Sequence, residues 1–248
     1  MIRQKIALVT GGTGGLGTAI CHSLHQTGYR VVANYHPEFA DQAQQWLLEQ
    51  NAAGFEPDVV GADVSDENSC LTMAQALLQA HGAIDCIVNN AGITRDARFE
   101  KMRVDQWQAV IATNLNSLYY VTHPLIDAMI ERQFGRIINI SSLSGQTGNF
   151  GQTNYSAAKA GVHGFSMALA REVARHGITV NSVSPGFIGT DMVMAMPEEV
   201  REQVAAKIPV GRLGTPEEIG RTVAFLADED SSYITGTDLT VNGGLFMQ

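Results

Sequence analysis

Positive charge is scarce in this chain. Its 248 residues carry 16 Lys and Arg against 25 Asp and Glu, a formal net charge of −9. A nucleic-acid partner requires a basic face, so that class of function is set aside. Cysteine is scarce too. Cys21, Cys70 and Cys86 fit two helices and a strand, with no C-x-x-C spacing. Free buried thiols in a reducing cytoplasm are the expectation, rather than a disulfide framework. The seven histidines form no H-x-x-x-H or H-E-x-x-H pattern, and no metal site is expected. No uncharged apolar stretch reaches about 18 residues, so no membrane span is expected. Met1-Ile2-Arg3-Gln4-Lys5 leads straight into the first apolar run, so no signal peptide is expected. The seven prolines are scattered and no Ser/Pro-rich linker divides the chain. One domain spanning 1–248 is expected, and that length suffices for a well-buried core.

Glycine, by contrast, is concentrated. Ile6-Ala7-Leu8-Val9-Thr10 has the character of a buried strand and runs into Gly11-Gly12-Thr13-Gly14-Gly15-Leu16-Gly17. A helical pattern with Ile20 and Leu24 follows, stopped at Gly28. A plain strand–helix turn needs one or two glycines; here five of seven positions are glycine. Such a turn lets backbone N–H groups approach a pyrophosphate at a helix N-terminus, where the helix dipole favours negative charge.

A second signal lies past mid-chain. Tyr155 and Lys159 are four residues apart, one face of a helix, and Ser142 precedes the tyrosine by thirteen. A phenol is a weak acid at neutral pH, and a nearby ammonium favours the phenolate and lowers its pKa. That makes Tyr155 a candidate general acid. A serine hydrolase would need a histidine base. Neither His163 nor His176 stands in an elbow or triad context, and both read as helix packing or surface groups.

Short apolar runs alternate with amphipathic segments along the whole chain, the pattern of βαβ units and a parallel sheet. The periodicity predicts strands near 5–9, 30–34, 57–62, 84–88, 136–141, 178–184 and 238–241. It predicts helices near 15–27, 39–53, 66–81, 104–131, 153–176 and 216–228. The fold class is therefore α/β, a Rossmann-type doubly wound sheet of about seven strands. Ligands are expected in the crevice at the carboxyl ends of the strands. The glycine turn, Asn90-Ala91-Gly92, Ser142 and Pro185-Gly186 all follow strands at that edge. Segment 187–212, with Met192, Met194, Met196 and Pro197, reads either as one packed short helix or as a lid over a cofactor.

These motifs together carry a resemblance. Thr10-Gly11-x-x-x-Gly15-x-Gly17, Asn89-Asn90-Ala91-Gly92, Asn114, Ser142, Tyr155-x-x-x-Lys159 and Pro185-Gly186 resemble, in order and spacing, the short-chain dehydrogenase/reductase family. Gly92-Ile93-Thr94-Arg95-Asp96, Phe150-Gly151-Gln152-Thr153-Asn154-Tyr155 and Asn242-Gly243-Gly244-Leu245 are similar to bacterial acetoacetyl-CoA reductases. The 3-oxoacyl-acyl-carrier-protein reductases compete with that reading. The resemblance implies a proton relay: Tyr155 as donor, Lys159 beneath the nicotinamide ribose, Ser142 on the substrate carbonyl, and Asn114 holding a relay water. It also implies an adenine contact at Asp63-Val64 and a carboxamide contact at Pro185-Gly186-Phe187-Ile188 and Thr190. The glycine-turn residues, with Leu16, Asn90, Ala91 and Gly92, complete the expected cofactor site. Asp96, Phe150 and Gln152 are implied for the acyl pocket, with Phe187 where the family pattern has Tyr. A homotetramer packed on the helices near 104–131 and 153–176 is implied as well, as is a place in polyhydroxybutyrate synthesis.

Cofactor choice turns on the end of the second strand, where an acid would take the 2′-hydroxyl of NAD. Val31-Val32-Ala33-Asn34-Tyr35-His36-Pro37 has no acid until Glu38, so Asn34, Tyr35 and His36 offer neutral donors and NADP(H) is expected. The loop departs from the resemblance in having no arginine. Arg95, Arg98, Lys101 and Arg103 form the densest basic stretch near the site, either as a solvated loop or as the contact for coenzyme A phosphates. Arg171 matches a docking position for a carrier protein, whereas Glu131-Arg132-Gln133-Phe134 is mixed in charge, so both thioester carriers stay open.

Overall fold

A computed structural model describes residues 4–247. Met1–Arg3, where the sequence reading places the chain start, lie outside them, as does the side chain of Met192. In chain order the main elements are β1 (Ile6–Val9), α1 (Gly15–Gln26), β2 (Arg30–Tyr35), α2 (Ala40–Ala52), β3 (Asp58–Gly61), α3 (Glu67–His81), β4 (Cys86–Asn89), α4 (Val104–Ile111), α5 (Ser117–Arg132) and β5 (Gly135–Ile140). They continue with α6 (Leu143–Thr147), α7 (Thr153–Val173), β6 (Ile178–Pro185), α8 (Asp191–Met194), α9 (Glu198–Ala205), α10 (Pro216–Ala227) and β7 (Asp238–Val241). The seven strands pair in the order β3-β2-β1-β4-β5-β6-β7, every pair parallel.

Alternation along the strands builds the two layers. Ala7, Val9, Val31, Cys86, Ile138 and Val183 face one side, where α1, α2 and α10 contribute Ile20, Leu24, Trp46 and Ile219. Ile6, Leu8, Val32, Ile87, Ile137 and Val180 face the other, against Met73 and Leu77 of α3, Leu125 and Met129 of α5, and Val173 of α7. Successive side chains point to opposite faces, so covering both faces requires near-continuous apolar strands. β4, β5 and β6 are buried at every position.

The strand order reverses at β1, which pairs with β2 on one side and β4 on the other. The crevice opens at that switch point, beyond the carboxyl ends of β1 and β4. The helix expected over 104–131 is interrupted: α4 stops at Ile111 and one π-helical turn, Ala112–Asn116, leads into α5. Single π turns of this kind concentrate at functional sites because they turn one side chain out of register. The helix expected to reach 176 ends at Val173 and tightens into a 3₁₀ turn, Ala174–His176, closed by Gly177. No helix among the described residues is long and apolar enough to cross a membrane.

Candidate active site

The glycine turn is fixed from behind by two side chains. Thr10 Oγ1 accepts from the N–H of Asn90 (2.9 Å) and of Ala91 (3.0 Å), and Asn90 Nδ2 donates to the carbonyl of Thr10 at 2.9 Å. This ties the carboxyl ends of β1 and β4 together across the crevice. At Gly17 a Cβ would stand 2.2 Å from the Gly11 carbonyl oxygen, so only glycine lets the first turn of α1 lie against the loop. The N-cap of α1, Gly14, has no side chain to cap the helix, and no acid stands in the first turn. The free N–H groups at this end suit a pyrophosphate.

The end of β2 departs from expectation. Asn34 is buried and its amide is spent inside the protein: Nδ2 donates to the carbonyls of Val60 (3.3 Å) and Ala62 (3.1 Å), while Oδ1 accepts from Gly11 N–H at 3.3 Å. It therefore fastens β2 to β3 and to the glycine turn, and does not present a donor to a 2′-phosphate. Tyr35 and His36 are half-buried at the crevice. His36 Nδ1 accepts from Glu38 N–H at 3.2 Å, and its Nε2 lies 3.5 Å from Asp63 Oδ2. Burial works to raise the Asp63 carboxyl, but hydrogen bonds from the Ser65 hydroxyl and N–H, together with His36, outweigh it and hold Asp63 below the usual carboxylate range. Val64 beside it is buried in the core.

Tyr155, Lys159, Ser142 and Asn114 do come together. Lys159 Nζ donates to the Ile140 carbonyl at 2.6 Å and lies 5.7 Å from the centroid of the Tyr155 ring. Burial pushes the Lys159 ammonium down to about 8. Ser142 is the N-cap of α6; its Oγ accepts from Ser144 N–H at 3.1 Å, and it also hydrogen-bonds Tyr155. The Tyr155 phenol is held above its ordinary value, first by burial and also by the charge of Asp96, against the lowering effect of Ser142. The sequence reading expected Lys159 to lower this pKa. The ammonium is instead directed at the Ile140 carbonyl, and burial of the phenol decides the sign. Asn114, in the π turn, uses both ends of its amide on one residue: Nδ2 donates to the Ile93 carbonyl (2.8 Å) and Oδ1 accepts from Ile93 N–H (2.8 Å). A Cβ at Gly92 would lie 3.1 Å from Asn114 Oδ1 and 3.7 Å from Lys159 Nζ, so the bare glycine keeps open a small polar space between them.

The residues that the resemblance implies for the acyl pocket lie on the loops after β4 and α6. Gln152 Nε2 donates to Asp96 Oδ2 at 2.9 Å, and Gln152 Oε1 accepts from Ser144 Oγ at 3.2 Å, linking Asp96 to the start of α6. Phe150 is 81% exposed, with the Arg98 guanidinium 5.5 Å from its ring centroid. The basic stretch is smaller than the sequence suggests, because Arg103 forks onto Asp105 at 2.9 and 2.7 Å. Phe187 lines a cavity of about 470 Å³ with Ile208, Val210, Phe225 and Leu239; neither Ser142 nor Tyr155 borders it. Pro185 ends β6 beside Val241, and the N–H of Gly186, the next residue, donates to the Val241 carbonyl at 2.9 Å. Ile188 is buried and Thr190 half-buried beyond them. Among the described residues no group of three or more His, Cys, Asp or Glu side chains is arranged to hold a metal ion.

A family model described as enoyl-(acyl carrier protein) reductase matches residues 11–246. An acetoacetyl-CoA reductase of Allochromatium vinosum is 53% identical, the match covering 98% of this chain and 99% of that protein. Nodulation protein G of Azospirillum brasilense is 55% identical over 99% of each chain. A 3-oxoacyl-acyl-carrier-protein reductase of Haemophilus influenzae is 46% identical over 99% of this chain and all of that one. The chain belongs to the short-chain dehydrogenase/reductase family. It is an oxidoreductase that works with a nicotinamide cofactor.

Two positioning residues escaped the sequence reading of this reductase, although both lie inside motifs it quoted. Thr10 reads in the sequence as the last residue of the first apolar run. Asn154 is buried, and its Nδ2 donates to the carbonyls of Arg95 (3.0 Å) and Gln106 (3.3 Å), anchoring the loop that carries Asp96. The signal was a polar residue next to each motif's functional one.

The low Lys159 value has a thermodynamic consequence. Between about 8 and its ordinary 10.5, the folded protein holds fewer protons at this site than the unfolded chain. Stability from this group therefore rises with pH across that window. In urea unfolding of the cofactor-free enzyme, wild type should gain up to about 3 kcal/mol relative to Lys159→Met between pH 8 and 10.5. A difference that stays flat with pH would show that Lys159 titrates as a solvated lysine.

Proposed function

We propose that this protein reduces the 3-oxo group of acetoacetyl-CoA to give (R)-3-hydroxybutanoyl-CoA. The observation that carries the reading is the convergence of Ser142, Tyr155 and Lys159 at the carboxyl edge of β5 and β6, beside the uncapped glycine turn. The bound cofactor supplies the hydride to the ketone carbon. Tyr155 gives its phenolic proton to the ketone oxygen, and its raised pKa keeps that proton in place at neutral pH. Ser142 Oγ accepts from Ser144 N–H and its proton is shared with Tyr155, so a bound substrate places its carbonyl oxygen where both hydroxyls can donate to it and to the alkoxide that develops there. An ammonium has three donors; Ile140 takes one from Lys159, leaving two for the ribose hydroxyls and for Tyr155. In this reading the polar space at Gly92, between Asn114 and Lys159, holds the water that returns a proton after each turnover. Segment 187–212 closes over the cofactor as a lid. A hollow of about 440 Å³ between α5 and α7, walled by Tyr119, Ile126, Phe165 and Leu169, supports self-association there into the tetramer that the family resemblance implies. Three free buried cysteines fit a cytoplasmic setting.

Coenzyme A is favoured over a carrier protein as the thioester arm. The chain is strongly acidic and would repel an acidic carrier, whereas the phosphates of coenzyme A need only local cations such as Arg95, Arg98 and Lys101. The exposed Phe150 with its Arg98 partner offers a flat surface at the mouth. The competing reading, a carrier-protein reductase, rests on the exposed Arg171 in the last turn of α7. In steady-state assays acetoacetyl-CoA should give kcat/KM at least about tenfold above the same acyl group on a carrier protein, a gap of about 1.4 kcal/mol. Neutralising Arg98 and Lys101 together should raise KM for the CoA substrate at nearly constant kcat, and the effect should shrink with salt. A higher kcat/KM on the carrier protein would overturn the assignment.

For the cofactor, the neutral step Tyr35-His36 supports NADP(H), as the sequence suggests. A second reading, NAD(H), has its own observations. The Asn34 amide is spent internally, Glu38 and Asp63 flank His36, and residues 31–41 contain no Lys or Arg. With donors and carboxylates side by side, discrimination should be weak: kcat/KM for NADPH and NADH should agree within about tenfold. Glu38→Gln should shift the ratio toward NADPH. A wild-type preference beyond about a hundredfold in either direction would show that other residues read the ribose.

A further inference from the structure

We infer that Asp238 is a positioning residue for the catalytic serine, acting through Gln146. The inference rests on the reductase reading above, in which Ser142 bonds the substrate oxygen. Asp238 opens β7, on the far side of β6 from β5. Its carboxylate collects donors from three other elements. Gln146 Nε2 of α6 donates to Oδ2 at 2.6 Å. From β6, Ser182 Oγ donates to Oδ1 at 2.8 Å, and Ser184 Oγ lies 2.9 Å from both oxygens. From α7, His163 Nε2 lies 3.3 Å from Ser184 Oγ and 3.6 Å from Oδ2.

A serine, a histidine and an aspartate in contact suggest a hydrolytic triad, but the wiring excludes one. Ser184 is fully buried, and its hydroxyl bonds the aspartate directly rather than through the histidine. The arrangement is a clamp. A carboxylate accepts several hydrogen bonds at once, so one side chain satisfies donors from α6, β6 and α7 together.

Those three elements carry the chemistry. Gln146 lies four residues after Ser142, on a five-residue helix too short to hold itself in place. His163 is one turn after Lys159. Ser184 immediately precedes Pro185-Gly186. α6 also rests directly on α7: a Cβ at Gly145 would stand 2.7 Å from the backbone carbon of Lys159, and Ser141 Oγ donates to the Lys159 carbonyl at 2.8 Å. Asp238 thus pulls the free end of α6 onto the sheet, while Gly145 and Ser141 fix its start against the catalytic lysine. Among the described residues the carboxylate is the one hydrogen-bond partner of Gln146 Nε2, and Gln146 Oε1 is buried without one. A shift of about 1 Å in Ser142 is enough to cost a large factor in rate.

A double-mutant cycle separates this role from general stabilisation. Asp238→Ala and Gln146→Leu should each lower kcat about tenfold in wild-type background, and less than about twofold when Ser142→Ala is already present. Should Asp238→Ala fail to fold, Gln146→Leu carries the same cycle. In parallel, hydrogen exchange of the cofactor-free variants should show faster exchange across 141–148 with no change across 6–26. Equal rate losses in both backgrounds, or unchanged exchange across 141–148, would overturn the inference. Faster exchange there in a protein that reduces no 3-oxoacyl thioester would uphold the clamp and refute the reductase reading instead.

Discussion

The site depends on one buried bond, from the Lys159 nitrogen to the carbonyl of Ile140 at the end of β5. An ammonium is costly to remove from water, and here only the site itself supplies partners. That cost places Lys159 close to its titration point and seats α7 against the sheet edge at a single register. The return bond from Ser141, the residue after Ile140, to the Lys159 carbonyl fixes the same contact from the backbone side of the lysine. Tyr155 then follows one turn earlier on α7, and Ser142 one residue beyond Ser141. Their separation is set by backbone geometry rather than by the side chains that react.

Charge around the crevice is divided in a way the net value hides. The crevice beside the glycine turn presents helix N–H groups and no Lys or Arg between 31 and 41. The loop after β4 carries Arg95, Arg98 and Lys101, and there Arg103 is withdrawn by Asp105. Between them burial, with a smaller contribution from the charge of Asp96, holds the Tyr155 phenol above its ordinary value, so the proton donor stays loaded at neutral pH. Reduction is the direction such a loaded phenol serves.

Much of this was legible in the sequence, for reasons that differ by element. The strands were readable because a sheet covered on both faces leaves continuous apolar runs, and β7 was placed at its observed limits, 238–241. The glycine turn and the i, i+4 pair of Tyr155 and Lys159 are local patterns with one geometric meaning. What failed was non-local. Nothing in Val32-Ala33-Asn34 tells that the Asn34 amide turns inward to β3 rather than outward to a ribose. The break in the helix at 112–116 has no proline or glycine to announce it, because its cause is the bond between Asn114 and Ile93. His163 reads as packing until Asp238, 75 positions later in the chain, is brought beside it. The five residues of α6 are too few to show any period at all.

The central claim is that Tyr155 delivers the proton, and Tyr155→Phe tests it with the least disturbance, since only the hydroxyl is lost. Turnover of acetoacetyl-CoA should fall by about 10²–10⁴-fold, the usual contribution of a general acid. Cofactor affinity, measured by fluorescence titration, should change less than about threefold, because the glycine turn and Lys159 remain. A variant that keeps more than about a tenth of wild-type kcat would contradict the account.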